Sequence, residues 1–215
     1  MLNLTSANPA TMFLSILIFL IVIAFVISLH EASHAFTANR LGDPTARLLG
    51  RMSLNPVNHI DPIGTILLPL ILLVLRGPVF GWAKPTPINP FNFQHPRRDT
   101  AIVAFAGPAS NFLLAGVLSL IFRVTPSTLV GSFLLTFIEL NLILGIFNLI
   151  PIPPLDGSKI LSGVLPKEAA ASFSALESYG PVLLLILLFI LLPILSPIIF
   201  LILNFFLRIF AGVTI

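Results

Sequence analysis

Cysteine is absent from the 215 residues, which excludes disulfides, thiol nucleophiles and cysteine-held metals from the chemistry of this chain. Charge is scarce. Asp, Glu, Lys and Arg together make up 9% of the sequence, against about a quarter in ordinary soluble domains. The basic residues form no runs, so the net charge of +3 is read as membrane topology and not as affinity for nucleic acid. The polar intervals are too short and too rich in proline to bury a separate core, so no appended soluble regulatory module is expected. The basic flank and small-residue cleavage site of a secretory signal peptide are also missing from the start of the chain. The first apolar run is therefore expected to stay attached.

What is present is apolar: 57% of the residues are hydrophobic, including 19 Phe, and 19 Pro punctuate them. That is the profile of a polytopic membrane protein whose helices are broken by proline. We expect an all-α polytopic membrane protein, residues 1–215 forming one membrane-embedded domain. About five transmembrane helices are predicted, near residues 10–38, 100–122, 129–150, 171–192 and 197–213. The first run has roughly 29 residues, or about 43 Å of helix, and crosses the bilayer with its last turns at the far face. The final apolar stretch, 181–212, would be about 48 Å as one helix; Leu192-Pro193-Ile194-Leu195-Ser196-Pro197 is expected to split it, one kinked helix being the alternative. Between the first two spans lies a re-entrant region over about 45–75. Its first part, 45–55, is expected to form a short β-hairpin or a surface loop, and 63–75, interrupted by Pro69, is too short for a comfortable crossing.

The chemistry sits at the end of the first span, in His30-Glu31-Ala32-Ser33-His34. Two histidines four apart lie about 40° apart around a helix and can reach one metal ion. Glu31, beside them, is the residue type that takes a proton from water and returns it to a leaving amine. A third ligand is needed, with an open position left for water. Asp156 is the candidate, because Pro151-Ile152-Pro153-Pro154 lets the chain leave the helix and swing a carboxylate inward. The plain alternative is a helix terminator with a capping Asp; a histidine motif in the same chain favours the ligand.

If His30, His34 and Asp156 share one ion, the first and third spans run the same way, which needs an odd number of crossings between them. The segment 63–75 is then the one that does not cross. Charge gives an independent check. This arrangement gathers Arg40, Arg47, Arg51, Arg76, Lys84, Arg97 and Arg98, seven of the eleven Lys and Arg, on one side. The positive-inside rule makes that side cytoplasmic and the N-terminus external.

Taken together, His30 through His34, then Gly107-Pro108-Ala109-Ser110-Asn111, then Asn148 through Gly157, the chain resembles the site-2 protease family of intramembrane zinc metalloproteases. The resemblance implies one zinc ion per chain held by His30, His34 and Asp156, with Glu31 catalytic and the site nearer the cytosolic face. It implies a transmembrane protein as substrate, cut within or near its membrane segment in regulated intramembrane proteolysis, and a multi-pass location in the lipid bilayer, expected to be a prokaryotic inner membrane. A β-structured re-entrant loop after the first span is implied too, and the hairpin edge near 45–55 could hold substrate by strand addition. In the family the asparagine matching Asn111 helps to position substrate or intermediate; on its own residues Asn111 could equally make a helix–helix hydrogen bond. Family members with PDZ or CBS domains exist, and this chain looks like a minimal form without them.

Other polar residues have plainer expectations. Glu139, mid-span, is expected to pair with a neighbour such as Asn141, and Asn148 to brace the Asp156 loop. His59 and His95 are expected at the surface. The alternative function is a divalent-metal membrane transporter or binding protein with His30, His34, Asp156 and Glu139 along a path, although the second and last spans supply few polar groups for one.

Overall fold

The computed structural model describes residues 9–67, 71, 83–126, 128–180, 183 and 186–214. Helices account for the regular structure, as an apolar chain with no water to satisfy its backbone requires. They are α1 (Pro9–Arg40), α2 (Thr45–Leu48), α3 (Pro96–Phe122), α4 (Leu129–Asn148), α5 (Asp156–Val164), α6 (Lys167–Ala175) and α7 (Leu192–Phe210). Among the described residues four helices are long and apolar enough to cross a membrane, Leu17–Arg40, Pro96–Phe122, Leu129–Asn148 and Pro193–Phe210. Large apolar side chains stand on their outer faces: Leu113, Leu120 and Leu201 are 71%, 69% and 72% exposed, a surface suited to lipid and not to water.

The central element is α3, which packs against α1, α4, α5 and α7. One core joins α3, α4 and α7 through Ala115, Phe122, Ile138, Leu142, Leu203 and Leu207, with Phe112 and Phe206 in ring contact at 4.9 Å. At the far end Arg123 donates to the carbonyls of Ile209 and Phe210 at 2.5 and 2.6 Å, so α3 and α7 finish side by side. At the opposite end the C-terminus of α1, the N-terminal half of α3 and the C-terminus of α4 converge. The helices α1 and α4 therefore run the same way, with α3 against them.

Two expectations differ from what the chain does. Residues 45–55 hold no strand. Thr45 N–H bonds to the Asp43 carboxylate at 3.1 Å, the good helix formers Ala46, Arg47 and Leu48 complete one turn as α2, and Gly50 at φ 69° closes it. Arg51 N–H then returns to the Ala46 carbonyl at 2.8 Å, the usual satisfaction of a helix end by a left-handed glycine. The segment 62–67 is a wide helical turn; of the rest of 63–75 only residue 71 is described, so whether it crosses lies outside the described residues.

The expected break at 192–197 gives way to the alternative of one continuous helix: among the described residues a wide helical turn, Leu187–Leu191, leads directly into α7, which carries both prolines. Pro193 sits in the first turn of α7, at its junction with that wider turn. Pro197 strips the Pro193 carbonyl of its helical donor, and Ser196 Oγ supplies one at 3.0 Å. Part of the span expected at 171–192 lies outside the described residues; its beginning is α6 followed by the tight turn Leu176–Tyr179.

Asp43 is the buried acid that ties the chain together behind α1. Its carboxylate accepts from Asn89 N–H at 2.8 Å, Asn92 Nδ2 at 2.7 Å and Thr45 N–H. Burial opposes its charge, but the hydrogen bonds from Thr45, Asn92 and Asn89 outweigh this and hold its carboxyl below the ordinary value. A depressed folded-state pKa contributes stability above the unfolded value, about 4, which is lost as pH falls through the folded one. Protection of the Asn89 amide hydrogen, its exchange relative to the intrinsic rate at each pH, should therefore fall as pH drops below about 4, and Asp43→Ala, which leaves no acceptor, should show low protection already at neutral pH. An amide indifferent to both would refute this role.

Candidate metal centre

The site is built where α1, α3 and the start of α5 meet. His30 and His34 lie one turn apart on α1, their rings 4.7 Å apart and nearly perpendicular. Both face α3, where Gly107 leaves room. A β-carbon there would lie 2.4 Å from His34 Nε2 and 2.7 Å from His30 Cε1.

Each imidazole is fixed by its other nitrogen. His34 Nδ1–H donates to the Val103 carbonyl at 2.7 Å. His30 Nδ1–H donates to Asn111 Oδ1 at 2.6 Å, Asn111 Nδ2 donates to Asn141 Oδ1 at 3.0 Å, and Asn141 Nδ2 to the Phe137 carbonyl at 2.8 Å. This relay sets the tautomers, leaving Nε2 of both rings as the bare donor atoms, the arrangement that metal-binding histidines use.

Asp156 arrives from the other direction. After α4 the chain turns through residues 149–155, including a cis Pro153–Pro154 peptide, and Asp156 opens α5. Gly157 lets the turn close, since a β-carbon there would lie 2.3 Å from the Leu149 carbonyl oxygen. Asp156 Oδ2 lies 3.0 Å from His30 Nε2 and 3.2 Å from His34 Nε2. Burial pulls the Asp156 carboxyl upward, but the charge interaction with the neighbouring His34 and His30 imidazoles more than reverses this, so Asp156 stays a carboxylate.

Among the described residues His30, His34 and Asp156 form a group that could hold a metal ion, with ligand atoms all within 4.8 Å of one another and all three residues buried. The set suits zinc. Two imidazole nitrogens and one carboxylate oxygen are zinc donors, and the edge of a tetrahedral site with bonds of 2.0–2.1 Å is about 3.3 Å, close to the 3.0 and 3.2 Å found.

Glu31, half-buried beside this group, accepts from Thr86 N–H at 2.8 Å through Oε2. Asn111, expected near an oxyanion, has its amide oxygen engaged by His30 and its nitrogen by Asn141. Asn141, expected to pair with Glu139, is bonded instead to Asn111 and to the Phe137 carbonyl. Asn148 donates to Leu144 of its own helix at 3.0 Å. His59 is buried, contrary to expectation, its Nε2–H bonded to the Ser53 carbonyl at 2.7 Å, while His95 is exposed. Sequence reasoning missed Asp43, Thr86, Asn141 and the Val103 carbonyl. Only the alternating prolines of Lys84-Pro85-Thr86-Pro87 could have flagged the segment of Thr86.

Comparison with known proteins follows this geometry. The model of peptidase family M50 matches residues 125–191, which contain Asp156. YwhC of Bacillus subtilis, named as an inferred zinc metalloprotease, is 40% identical over 179 residues, 78% of each chain. Rip2 proteins of Mycolicibacterium smegmatis and Mycobacterium tuberculosis, named likewise, are 31% and 33% identical over 178 residues, covering 79% of this chain and 67% of theirs. No solved structure matches the chain.

Proposed function

Because the chain belongs to peptidase family M50 and is a zinc metalloprotease of a multi-pass membrane architecture, we propose that it hydrolyses peptide bonds within or beside the transmembrane segments of other membrane proteins. The observation that carries this reading is the meeting of His30 Nε2, His34 Nε2 and Asp156 Oδ2 at 3.0 and 3.2 Å at the ends of membrane-length helices. A site so placed faces peptide that is itself at the membrane.

His30, His34 and Asp156 are the zinc ligands in this proposal, and the ion supplies Lewis acidity toward water and the scissile carbonyl. Glu31 is the general base that takes the proton of the attacking water and delivers it to the leaving amine. Asn111 is the residue that orients His30. A helical substrate shields its peptide bonds with its own hydrogen bonds, so the substrate segment has to unwind locally before it is cut. The reaction serves regulated intramembrane proteolysis, on a segment shortened beforehand by another protease.

The site end is assigned to the cytoplasmic face of a prokaryotic inner membrane, because every described Lys and Arg except Arg123 and Arg208 lies at that end. The absence of cysteine gives a clean test. Gln94→Cys at the site end should react with an impermeant maleimide only after cells are opened, and Val124→Cys at the far end in intact cells; the reverse pattern inverts the assignment.

The functional test is to map by mass spectrometry the cuts made in single-span polypeptides by the purified protein in detergent. Cuts should fall in or next to the apolar segment and stop when a chelator removes zinc. Cuts confined to soluble tails, or insensitive to chelation, would overturn the proposal. Replacing Asn111 with Leu leaves the His30 Nδ1–H without an acceptor, and zinc affinity should fall about 10–100-fold, the usual effect of losing a partner behind a ligand. Unchanged affinity in a competitive zinc titration would remove Asn111 from this role.

A further inference from the structure

Residues 83–89, Ala83-Lys84-Pro85-Thr86-Pro87-Ile88-Asn89, lie against the site as a strap without regular secondary structure. Three of its backbone donors are bonded to the body of the protein. Lys84 N–H bonds to the His59 carbonyl at 2.9 Å, Thr86 N–H to Glu31 Oε2 at 2.8 Å, and Asn89 N–H to Asp43 Oδ2 at 2.8 Å. Thr86 Oγ1 adds a bond to the Glu31 carbonyl at 3.0 Å. The residues on either side of Thr86, Pro85 and Pro87, have no N–H to offer. A strap with prolines there is a poor template for an added strand. Its hydrogen bonds are directed at Glu31 and at the two anchors beside it.

We propose that Thr86 is a positioning residue for the reaction: its backbone N–H pins Oε2 of Glu31, so that proton exchange with water and leaving amine falls to Oε1. The inference rests on the reading of Glu31 as the base. A carboxylate on a half-buried side chain could otherwise rotate among orientations, and fixing one oxygen fixes the direction of the other's lone pairs. The anchors matter for the same reason. Asp43 and His59 hold the strap at both ends, so the N–H arrives without a side chain having to order it.

Because the donor is backbone, the test turns on which substitutions keep it. Thr86→Ala retains the N–H and loses only the hydroxyl, and should lower kcat by about threefold at most. Thr86→Pro deletes the N–H while keeping an extended backbone compatible with its proline neighbours. Its kcat should fall by about 10–100-fold, with KM changed by less than about twofold and zinc content unchanged. A raised KM with unaltered kcat, or a Thr86→Pro enzyme as fast as Thr86→Ala, would overturn the proposal.

A second measurement needs no cleavage and no folded proline variant. In the full chain labelled with nitrogen-15 threonine, the Thr86 amide is identified by its loss in Thr86→Ala. Glu31→Ala should shift that amide proton upfield and speed its exchange; an amide that does not respond overturns the positioning role alone. A Glu31→Gln enzyme that cuts like wild type would overturn the base assignment and the positioning role together, so the two failures are separable.

Discussion

Glu31→Gln should retain about one zinc per chain and lose cleavage by about 100-fold to 10,000-fold, the range that general-base catalysis supplies. The substitution is chosen because it removes so little else. Gln has the shape of Glu and keeps an amide oxygen, so it can still accept the Thr86 N–H that Glu31 Oε2 accepts at 2.8 Å. It leaves His30, His34 and Asp156 untouched, with their 3.0 and 3.2 Å spacings, and so leaves the zinc site intact. What goes is the ability to take a proton from water, since an amide oxygen is not a base at neutral pH. The comparison is made on protein purified in detergent, with zinc measured by elemental analysis and cleavage followed on a panel of single-span polypeptides. A variant that cuts as fast as wild type would remove Glu31 from the centre of the mechanism. A variant that loses both zinc and cleavage would give Glu31 a structural part in holding the site.

What the sequence made legible, and what it hid, divide by the range of the interactions involved. His30, Glu31 and His34 stand out by helical periodicity and Asp156 by a proline-marked break, whereas their meeting was a supposition, carried by the family resemblance, from which the direction of the spans followed. The four membrane-length helices were legible for the same local reason, as apolar runs about as long as a bilayer is thick. Arg123 bonding to Ile209 and Phe210 was not, because it joins positions some 86 residues apart. Gly42-Asp43-Pro44 carries a local signal to end a helix and nothing more; that Asp43 gathers Asn89, Asn92 and Thr45 is a tertiary fact. The hairpin expected at 45–55 failed because one carboxylate and one left-handed glycine decided the local fold in favour of a helical turn. Of the break expected over 192–197 and the continuous helix weighed against it, the helix prevailed, Ser196 Oγ bonding the Pro193 carbonyl that Pro197 leaves without a donor.

Gly107→Ala should abolish tight zinc binding while leaving the helices folded, which is the reverse of what helix propensity alone suggests. Alanine in a helix interior is favoured over glycine by about 1 kcal/mol, and in an open part of α3 the change would stabilise. At Gly107 the added carbon would lie 2.4 Å from His34 Nε2, 2.5 Å from His34 Cε1 and 2.7 Å from His30 Cε1, all inside contact distance. The rings cannot simply step aside. His34 is held by the Val103 carbonyl at 2.7 Å, one turn before Gly107 on the same helix, and His30 by Asn111 at 2.6 Å, one turn after it. Moving either imidazole breaks the hydrogen bond that fixes its tautomer, and moving α3 away from α1 separates His30 from Asn111. Overpacking of this kind costs about 1–3 kcal/mol, and disturbing both ligands should lower zinc affinity by well over about 100-fold, since loss of one outer partner already costs 10–100-fold. The control is Gly116→Ala on the same helix, where the nearest atom, on Phe210, is 3.9 Å away and the change should be neutral or mildly stabilising. Zinc content after dialysis against a chelator-buffered zinc solution reads the difference directly. If Gly107→Ala held zinc as tightly as Gly116→Ala, the close approach of α3 to the two histidines could not be what shapes the site.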